Sequence, residues 1–434
     1  MTVVAGSSTI AGVARQWRDP AAWLATVDVL AILTAASLPW STSLPAIFAA
    51  AMLVAIVPFL DVQAYLQSLK RPICAVPIAF FLLALAGTTW SDAPWGVRFY
   101  AVGPTVKLLT LPVLFYHFER SARGVHVLTG FLVSSALLMA MSFIVAFDPR
   151  LALKSGAAYG VPVKNYIDQS QEFALCAVAL AYPIITFLRA KRNSLAALLI
   201  AVSLGFVVNM MFVIVSRTAL VTMPIMLAVF ALLHLKWRSI VIILCVASIA
   251  VGLAWATSPH LRSTTATFLG DYEIYKERNE ATSIGLRLEF WRKSLRFFAD
   301  APVVGHGTGS TRGLFEQAAQ GPAGLASSEV IGNPHNQTLN VAVQWGAIGG
   351  AILCAMWLLH LLLFRGDDLA NWIGLLVVVQ NIFTSLFNSH LFDFHEGWMY
   401  VLGVGVAGGM VLKARKPNSK IEARGSGPAA GKGE

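Results

Sequence analysis

The sequence is dominated by apolar stretches of about 20 residues, the length that crosses a bilayer as an α-helix. Backbone groups inside hydrocarbon must bond within their own segment, so such stretches predict an all-α polytopic membrane protein. Only 12% of the residues are charged, against about 25% in soluble domains, and the mean hydropathy is +0.68. These values exclude a soluble enzyme. About twelve spans are predicted, at residues 21–39, 43–60, 72–90, 99–117, 124–146, 170–188, 194–214, 218–234, 238–256, 337–363, 369–389 and 398–412.

Lys and Arg lie in every second connection between these spans, which predicts the orientation of the chain in the membrane. The basic connections are at residues 70–71, 120–123, 189–192, 236–238 and 365, and in the tail after residue 412. Placing them in the cytoplasm puts both ends of the chain inside and the segments 147–169 and 257–336 outside. The net charge of +10 is therefore not taken as a sign of nucleic-acid binding. Basic residues in 257–336 indicate an anionic ligand or lipid headgroups at that surface.

The predicted spans divide the chain into four parts. Residues 1–256 hold nine spans, 257–336 form an external loop domain, 337–412 hold three spans, and 413–434 form a cytoplasmic tail. The tail is rich in Gly, Lys and Pro, and we expect it to be disordered beside anionic headgroups. We expect no cleavable signal peptide, because the basic N-terminal region runs into the first span without a convincing cleavage site.

The external segment contains an amphipathic helical pattern from Gly285 to Phe298. At about 100° per residue, one face is apolar and the opposite face is charged. The apolar face comprises Leu288, Phe290, Trp291, Leu295, Phe297 and Phe298, and the charged face comprises Glu289, Arg292, Lys293 and Arg296. Arg287 alone projects from the apolar face, where an unpaired charge is costly. It faces either an anionic substrate or an ion pair within the segment, for which the candidates are Asp271, Glu273, Glu280 and Glu289.

Two further polar residues are predicted at the same external level. Arg217 lies between two apolar spans with no proper loop around it. An ionisable group there faces a cavity or extends its side chain to the outer headgroups. His335 lies where the external segment re-enters the membrane. It is either a structural group or a base, since an unperturbed imidazole can take a proton near neutral pH.

Two Arg and one His suit a particular kind of reaction. The guanidinium fork matches phosphate oxygens two at a time. A sugar on a lipid pyrophosphate needs neutralisation of its leaving group and a base for the attacking hydroxyl. We therefore predict that Arg217 and Arg287 bind the pyrophosphate, that His335 deprotonates the acceptor, and that the anomeric carbon is inverted.

Metal sites and cofactor motifs are not evident. His390, Asp393, His395 and Glu396 match no standard ligand spacing and are interpreted as a polar turn. The glycine-rich sequence 305–309 follows a helix instead of a strand, so it is interpreted as a flexible turn near the site. The cysteines Cys74, Cys176, Cys245 and Cys354 are interpreted as small core residues. No metal or cofactor is expected.

Arg98 and Lys107 are candidates for secondary contacts with lipid phosphate. Arg98 borders an external connection, and Lys107 lies within an apolar span, where it should face the bundle interior or a cavity. A structural pair or snorkelling explains either residue equally well.

Several short motifs, taken in order, resemble the O-antigen ligase and polymerase superfamily. They are Ser216-Arg217-Thr-Ala, Arg287 with Trp291, Pro302-Val-Val-Gly-His-Gly-Thr-Gly309, Pro334-His335-Asn336 and Gly346-Ala-Ile-Gly349. The resemblance implies a metal-independent, inverting glycosyltransferase of the GT-C type with a periplasmic active site in the bacterial inner membrane. It also implies that the family's two essential arginines correspond to Arg217 and Arg287, and its essential histidine to His335.

The resemblance further implies the substrates. The donor would be O-antigen polysaccharide on undecaprenyl pyrophosphate, and the acceptor would be lipid A–core oligosaccharide. O-antigen polymerases and protein O-oligosaccharyltransferases share the same features and remain alternatives with a different acceptor. A lipid-linked glycan transporter is a third alternative, although transporters place charges near the midplane and often contain inverted repeats, neither of which is evident in this sequence.

Overall fold

The computed structural model describes residues 19–154, 158–214 and 216–416, and these residues are almost entirely helical. No strand occurs among them apart from one isolated bridge between Glu280 and Leu325. The α-helices are α1 Pro20–Ser37, α2 Ser43–Ala55, α3 Val62–Leu69, α4 Pro72–Ala86, α5 Trp95–Val106, α6 Thr110–Phe118, α7 Gly124–Phe147, α8 Tyr166–Ala179, α9 Ala181–Arg189, α10 Asn193–Phe212, α11 Arg217–His234, α12 Trp237–Thr257, α13 Pro259–Arg278, α14 Ser283–Asp300, α15 Thr311–Gln317, α16 Gln337–Leu363, α17 Leu369–Thr384 and α18 Phe394–Ala414.

Every predicted span coincides with a helix or with two consecutive helices. Seven helical stretches of the described chain are long and apolar enough to cross a bilayer, and an eighth is reached if α3 and α4, bent by 80°, form one span. Shorter apolar helices occupy 43–59, 221–234 and 369–384. The structure therefore confirms an all-α polytopic membrane protein, and the count of twelve spans remains a prediction.

Polar side chains at the helix starts fix the ends of these apolar elements. Asp19 Oδ1 accepts from Ala21 N at 2.9 Å ahead of α1, and Asp368 Oδ1 accepts from Asn371 N at 2.9 Å ahead of α17. Each such cap satisfies a backbone N–H that has no partner within the helix. These caps help to set where α1 and α17 begin, whereas α2 and α4 begin without a side-chain cap.

The connections predicted to be cytoplasmic meet at one end of the bundle. Arg71 and Glu119 form an ion pair at 2.8 Å, and Lys416 approaches the same carboxylate at 3.3 Å. Arg415 Nη2 donates to Leu363 O at 2.7 Å. The predicted tail is thus ordered at its start, where α18 runs two residues beyond the expected end of the span, and residues 417–434 lie outside the described residues.

The connections predicted to be external meet at the other end. Thr308 N donates to Gly87 O at 2.9 Å, and Gln337 N donates to Ser385 O at 2.8 Å. The loops before α5, α16 and α18 therefore share one surface with the segment 257–336. The two sets of connections separate as the alternation of basic loops predicts.

In the external segment, α13 and α14 form a close helical pair. A Cβ on Gly285 would lie 2.5 Å from Tyr275 Cβ, so only glycine permits this approach. The predicted helix from Gly285 to Phe298 is confirmed as α14, which begins two residues earlier behind Thr282, whose Oγ1 accepts from Gly285 N at 3.1 Å. This packing sets which face of α14 is turned inward.

The predicted faces of α14 are partly wrong. Glu289 and Lys293 are 2% and 3% exposed, whereas Leu295 is 57% exposed. Arg292 donates to both oxygens of Glu289 at 2.9 and 2.6 Å, and Lys293 Nζ donates to Ser327 O at 2.6 Å. The charges tolerate burial because they are paired, with the residues before α16 folded over them.

The glycine-rich sequence 305–309 is not a flexible turn, because it fills a break in α16. Trp345 and Gly346 leave helical geometry there, with Gly346 at φ +59°. His306 N donates to Val343 O at 2.9 Å and Gly307 N donates to Gln344 O at 2.8 Å. The loop thus satisfies carbonyls that the broken helix cannot. A Cβ on Gly346 would lie 2.3 Å from Val303 O, which explains the glycine.

Candidate active site

His335 lies at the end of the bundle that is predicted to face outward, one residue before the cap of α16. Its backbone is left-handed, with φ +52°, a conformation that is uncommon for a residue with a side chain and that is often found at functional sites. Asn333 Oδ1 accepts from His335 N at 3.0 Å, and Asn336 Oδ1 accepts from Leu339 N at 3.0 Å. The two asparagine side chains hold the turn that presents the imidazole.

A loop that follows α17 carries the partner of the imidazole. His335 Nδ1 lies 2.9 Å from Asn388 Oδ1, and Asn388 Nδ2 donates to Asp393 Oδ2 at 2.7 Å. Asn333 Nδ2 also donates to Asn388 Oδ1 at 3.1 Å. Burial raises the pKa of the Asp393 carboxyl to about 6, and the nearby positive charge of Lys107 opposes that rise.

The helix α14 brings Arg287 to the same imidazole. The Phe290 ring stacks on His335 with centroids 6.2 Å apart and planes at 27°. Burial lowers the pKa of His335, the hydrogen bond to Asn388 opposes that change, and the positive charge of Arg287 lowers the pKa further. His335 is therefore neutral near pH 7 and can accept a proton. A shared substrate for Arg287 and His335 remains a prediction.

The alternative ion pairs for Arg287 are partly occupied by other residues. Glu289 pairs with Arg292 and Lys293, and Glu280 lies 3.7 Å from Arg278. Arg287 Nη1 donates to Ser283 Oγ at 3.3 Å, and the side chain is half-buried. The positive charge of Arg287 is close enough to the imidazole to lower the pKa of His335.

Arg217 is the first residue of α11, and its side chain lies outside what the structure describes. The end of α10 lies against the loop after α7, because Ser142 Oγ donates to Gly160 O at 2.6 Å and Asn209 Nδ2 donates to Ser142 Oγ at 3.0 Å. Gly160 packs against Val213, where a Cβ would lie 2.1 Å from Cγ1. The predicted contact of Arg217 with pyrophosphate remains a prediction.

Arg98 and Lys107 both bind backbone carbonyl groups of the protein. Arg98 Nη1 donates to Thr88 O at 2.9 Å, and its guanidinium lies 4.3 Å from the centroid of the Trp95 ring. Lys107 Nζ donates to Phe392 O at 3.1 Å and also to Asp393 O. Lys107 therefore supports the loop that carries Asn388, and contact of either residue with lipid phosphate remains a prediction.

The predicted polar turn near residue 390 is a set of buried pairs. His395 Nδ1 lies 2.7 Å from Asp168 Oδ2, and His390 Nδ1 lies 3.8 Å from Glu396 Oε1. Burial lowers the pKa of His390 to about 4. Among the residues that the structure describes, no group of His, Cys, Asp and Glu has an arrangement that could hold a metal ion.

Residues 198–354 match the family model described as O-antigen ligase. This match supports membership of the O-antigen ligase superfamily. It supports a glycosyltransferase-like function of the ligase or polymerase type, with a lipid-linked glycan and a lipid acceptor as the general substrates. No curated protein matches the sequence.

The region matched to the O-antigen ligase family runs from α10 to the first half of α16. It contains Arg217, Arg287 and His335, and it excludes Asn388 and Asp393. The two excluded residues were not predicted as site residues, because an isolated Asn after an apolar span has no charge or periodic pattern to single it out. The spacing of the polar residues around position 390 was the only available signal.

Proposed function

We propose that the protein is an inverting, metal-independent O-antigen ligase. It transfers O-antigen polysaccharide from undecaprenyl pyrophosphate to lipid A–core oligosaccharide at the periplasmic face of the inner membrane. The observation that carries this proposal is the His335 imidazole, held 2.9 Å from Asn388 Oδ1, with its pKa lowered by burial and further by the charge of Arg287. Family membership supports the choice of a glycan transfer over other reactions of an Arg and His pair.

The proposed site residues act on opposite sides of the scissile bond, at the attacking hydroxyl and at the leaving group. The acceptor hydroxyl attacks the anomeric carbon from the face opposite the pyrophosphate, and its proton passes to His335 Nε2. The bond between the anomeric carbon and the pyrophosphate oxygen breaks, and the pyrophosphate takes the electron pair. Arg287 and Arg217 offset the charge that develops on this leaving group. A positioned general base contributes about 10²- to 10⁴-fold to such a rate.

The test supplies purified protein in lipid nanodiscs with undecaprenyl-pyrophosphate glycan and three separate acceptors. These are lipid A–core oligosaccharide, a second lipid-linked glycan and an acceptor protein. We expect a mass gain on lipid A–core in the presence of EDTA. A mass gain only on the lipid-linked glycan or the protein identifies a polymerase or an O-oligosaccharyltransferase. Loss of all transfer in EDTA contradicts metal independence.

Arginine variants test the role of the guanidinium groups. Arg287→Ala and Arg217→Ala are expected to lower turnover by at least ~10²-fold, because one group that stabilises transition-state charge is commonly worth that much. Arg296→Ala is the matched control, because Arg296 is exposed on the same helix as Arg287. Equal losses in Arg287→Ala and Arg296→Ala would show that net positive charge, and not a placed guanidinium, supports transfer.

A further inference from the structure

The hydrogen bonds around Asn388 leave each amide only one orientation. The Asp393 carboxylate can only accept, so the Asn388 atom 2.7 Å from it is the NH₂ group. Asn333 Oδ1 accepts from His335 N and from Ser389 Oγ at 2.7 Å, so the Asn333 NH₂ faces Asn388 Oδ1. Both arguments independently give the same orientation of the Asn388 amide, with its oxygen toward the imidazole.

That orientation determines which ring nitrogen of His335 carries the proton. An amide oxygen cannot donate, so the 2.9 Å contact requires Nδ1–H as the donor. The neutral imidazole then has its lone pair on Nε2. Within the described part of the chain Nε2 has no hydrogen-bond partner, and the His335 side chain is only half-buried. The basic nitrogen is thus open to a substrate hydroxyl.

We propose that Asn388, itself oriented by Asp393, is a positioning residue that holds His335 in the Nδ1–H tautomer with Nε2 as the basic atom. The effect of Asn388 on the turnover rate rests on the proposed glycan transfer. Its effect on the tautomer of His335 is independent of that proposal. Asn388 touches no reacting atom. It acts through the imidazole, as a buried carboxylate does in serine hydrolases, where loss of the correct tautomer lowers kcat by about 10⁴-fold.

The charged neighbours of His335 come from two elements. Arg287 lies on α14, and His390 and Asp393 lie on the loop between α17 and α18, with Lys107 bonded to the carbonyl of Asp393. Asn388→Asp keeps an acceptor next to Nδ1 and adds a negative charge, so it raises the pKa of His335. Asn388→Ala removes a hydrogen bond that favours the imidazolium, so it lowers that pKa.

Nitrogen-15 NMR of the histidine rings in the full-length protein tests the tautomer directly, because protonated and unprotonated ring nitrogens have well-separated shifts. The His335 signals are assigned by their loss in His335→Gln. In the unsubstituted protein we expect Nδ1 protonated and Nε2 unprotonated. In Asn388→Ala we expect a mixture dominated by Nε2–H, as in free histidine. An Nε2–H tautomer in the unsubstituted protein, or no change in Asn388→Ala, overturns the proposal.

Kinetics give the second readout. Asn388→Ala is expected to lower kcat by about 10- to 100-fold with little change in KM for the donor, because only proton transfer is affected. Asn388→Asp is expected to recover part of kcat and to move the acid limb of the pH profile upward. Asn388→Asp also tests the proposal if Asn388→Ala does not fold, since an unshifted acid limb in Asn388→Asp contradicts the proposal.

Asn371→Ala is the matched control. Asn371 Nδ2 donates to Asp368 Oδ2 at 2.8 Å, so the same kind of Asn–Asp pair is removed at the opposite end of α17. We expect it to leave both the tautomer and kcat unchanged. A tautomer shift in Asn388→Ala without any glycan transfer by the unsubstituted protein would support the positioning role and refute the ligase. Glycan transfer by the unsubstituted protein with no tautomer shift in Asn388→Ala would support the ligase and refute the positioning role.

Discussion

The chemistry of His335 is set by neighbours that are distant in sequence. Asn388 holds one ring nitrogen at 2.9 Å, Phe290 covers one ring face, and Arg287 adds a positive charge nearby. Burial and the arginine both disfavour the imidazolium, so the side chain remains a base at neutral pH. The left-handed backbone of His335 is tolerated because Asn333 bonds it. The pKa and the backbone conformation of His335 thus depend on the residues packed around it.

The lowered pKa of His335 predicts the pH dependence of transfer. The acid limb of kcat/KM is expected below pH 6.5, the ordinary value for His, because activity is lost only when the imidazole becomes protonated. In Arg287→Ala a positive charge is removed, so the imidazolium is less disfavoured and the limb should move to higher pH. The limb is measured from residual transfer, or from the NMR titration of His335. A downward or absent shift would contradict the coupling.

The buried charges of α14 predict a large loss of stability on substitution. Glu289→Gln leaves Lys293 buried without its carboxylate and replaces one of the two oxygens that accept from Arg292 with an NH₂ group. Breaking a buried pair typically costs about 3–5 kcal/mol, so α14 should lose hydrogen-exchange protection. Glu316→Gln removes an exposed pair with Arg312 at 3.0 Å and should cost less than ~1 kcal/mol. Similar protection in both variants would show that Glu289 is not structurally important.

At the scale of single residues, the sequence shows which side chains break a pattern, but it does not show which side chains they contact. Arg287 was singled out because its charge broke a helical period, and the structure couples it to His335. Glu289 and Lys293 were placed on the solvent face, because the pattern could not show that residues near Ser327 fold over them. Asn388 has no charge or periodic pattern of its own, since its proposed role arises from contact with a residue 53 positions away.

Among the elements, α16 is unusual because it is broken and repaired by another segment. The residues after α14 donate to the carbonyls of Val343 and Gln344, while Ala347 N and Ile348 N donate to Pro302 O and Val303 O at 2.8 and 3.3 Å. This exchange ties α14, which carries Arg287, to α16, which follows His335. The break therefore constrains how the helix carrying Arg287 lies relative to the helix after His335.

The glycine at this break predicts a sharp difference between two positions of one helix. Gly346→Ala places a Cβ against Val303 O in a backbone region that only glycine adopts, and the strain alone costs about 1–3 kcal/mol. Gly350→Ala meets no atom within 4 Å and should be neutral or stabilise by up to ~1 kcal/mol. Thermal unfolding in detergent measures both variants. An unchanged Tm for Gly346→Ala would contradict the structural role of the break.

Element boundaries were predictable where local rules decide them. The helix from Gly285 and the spans at 124–146 and 337–363 lie within a few residues of α14, α7 and α16, because period and hydropathy are local. The interpretation of residues 305–309 as a flexible turn was wrong. Glycine is selected there for close approach and positive φ, and those requirements appear only when the break in α16 is seen.

At the scale of the whole molecule, the two ends of the helical bundle differ in charge and in role. One end joins the basic connections through pairs such as Arg71 with Glu119. The other end assembles the loops around His335 and the external segment. The alternation of basic loops predicted this separation from sequence, because the charge bias acts on each connection independently. The convergence of the site loops depends on helix packing and was not predictable.

The separation predicts which positions can be labelled from outside the cell. In a background with the four cysteines replaced by alanine, Glu316→Cys should react with a membrane-impermeant maleimide in intact spheroplasts. Arg192→Cys should react only after lysis, because it lies in a basic connection and is exposed. Labelling of both positions in intact spheroplasts, or only of Arg192→Cys, would contradict the orientation.

The most direct test of the account is single-turnover glycan transfer to lipid A–core in EDTA, comparing His335→Ala with the unsubstituted protein. His126→Ala is the control, because His126 is exposed at the opposite end of the bundle. We expect a loss of about 10²- to 10⁴-fold in His335→Ala, with normal transfer by His126→Ala. Near-normal transfer by a folded His335→Ala protein would contradict the claim that this imidazole is the base.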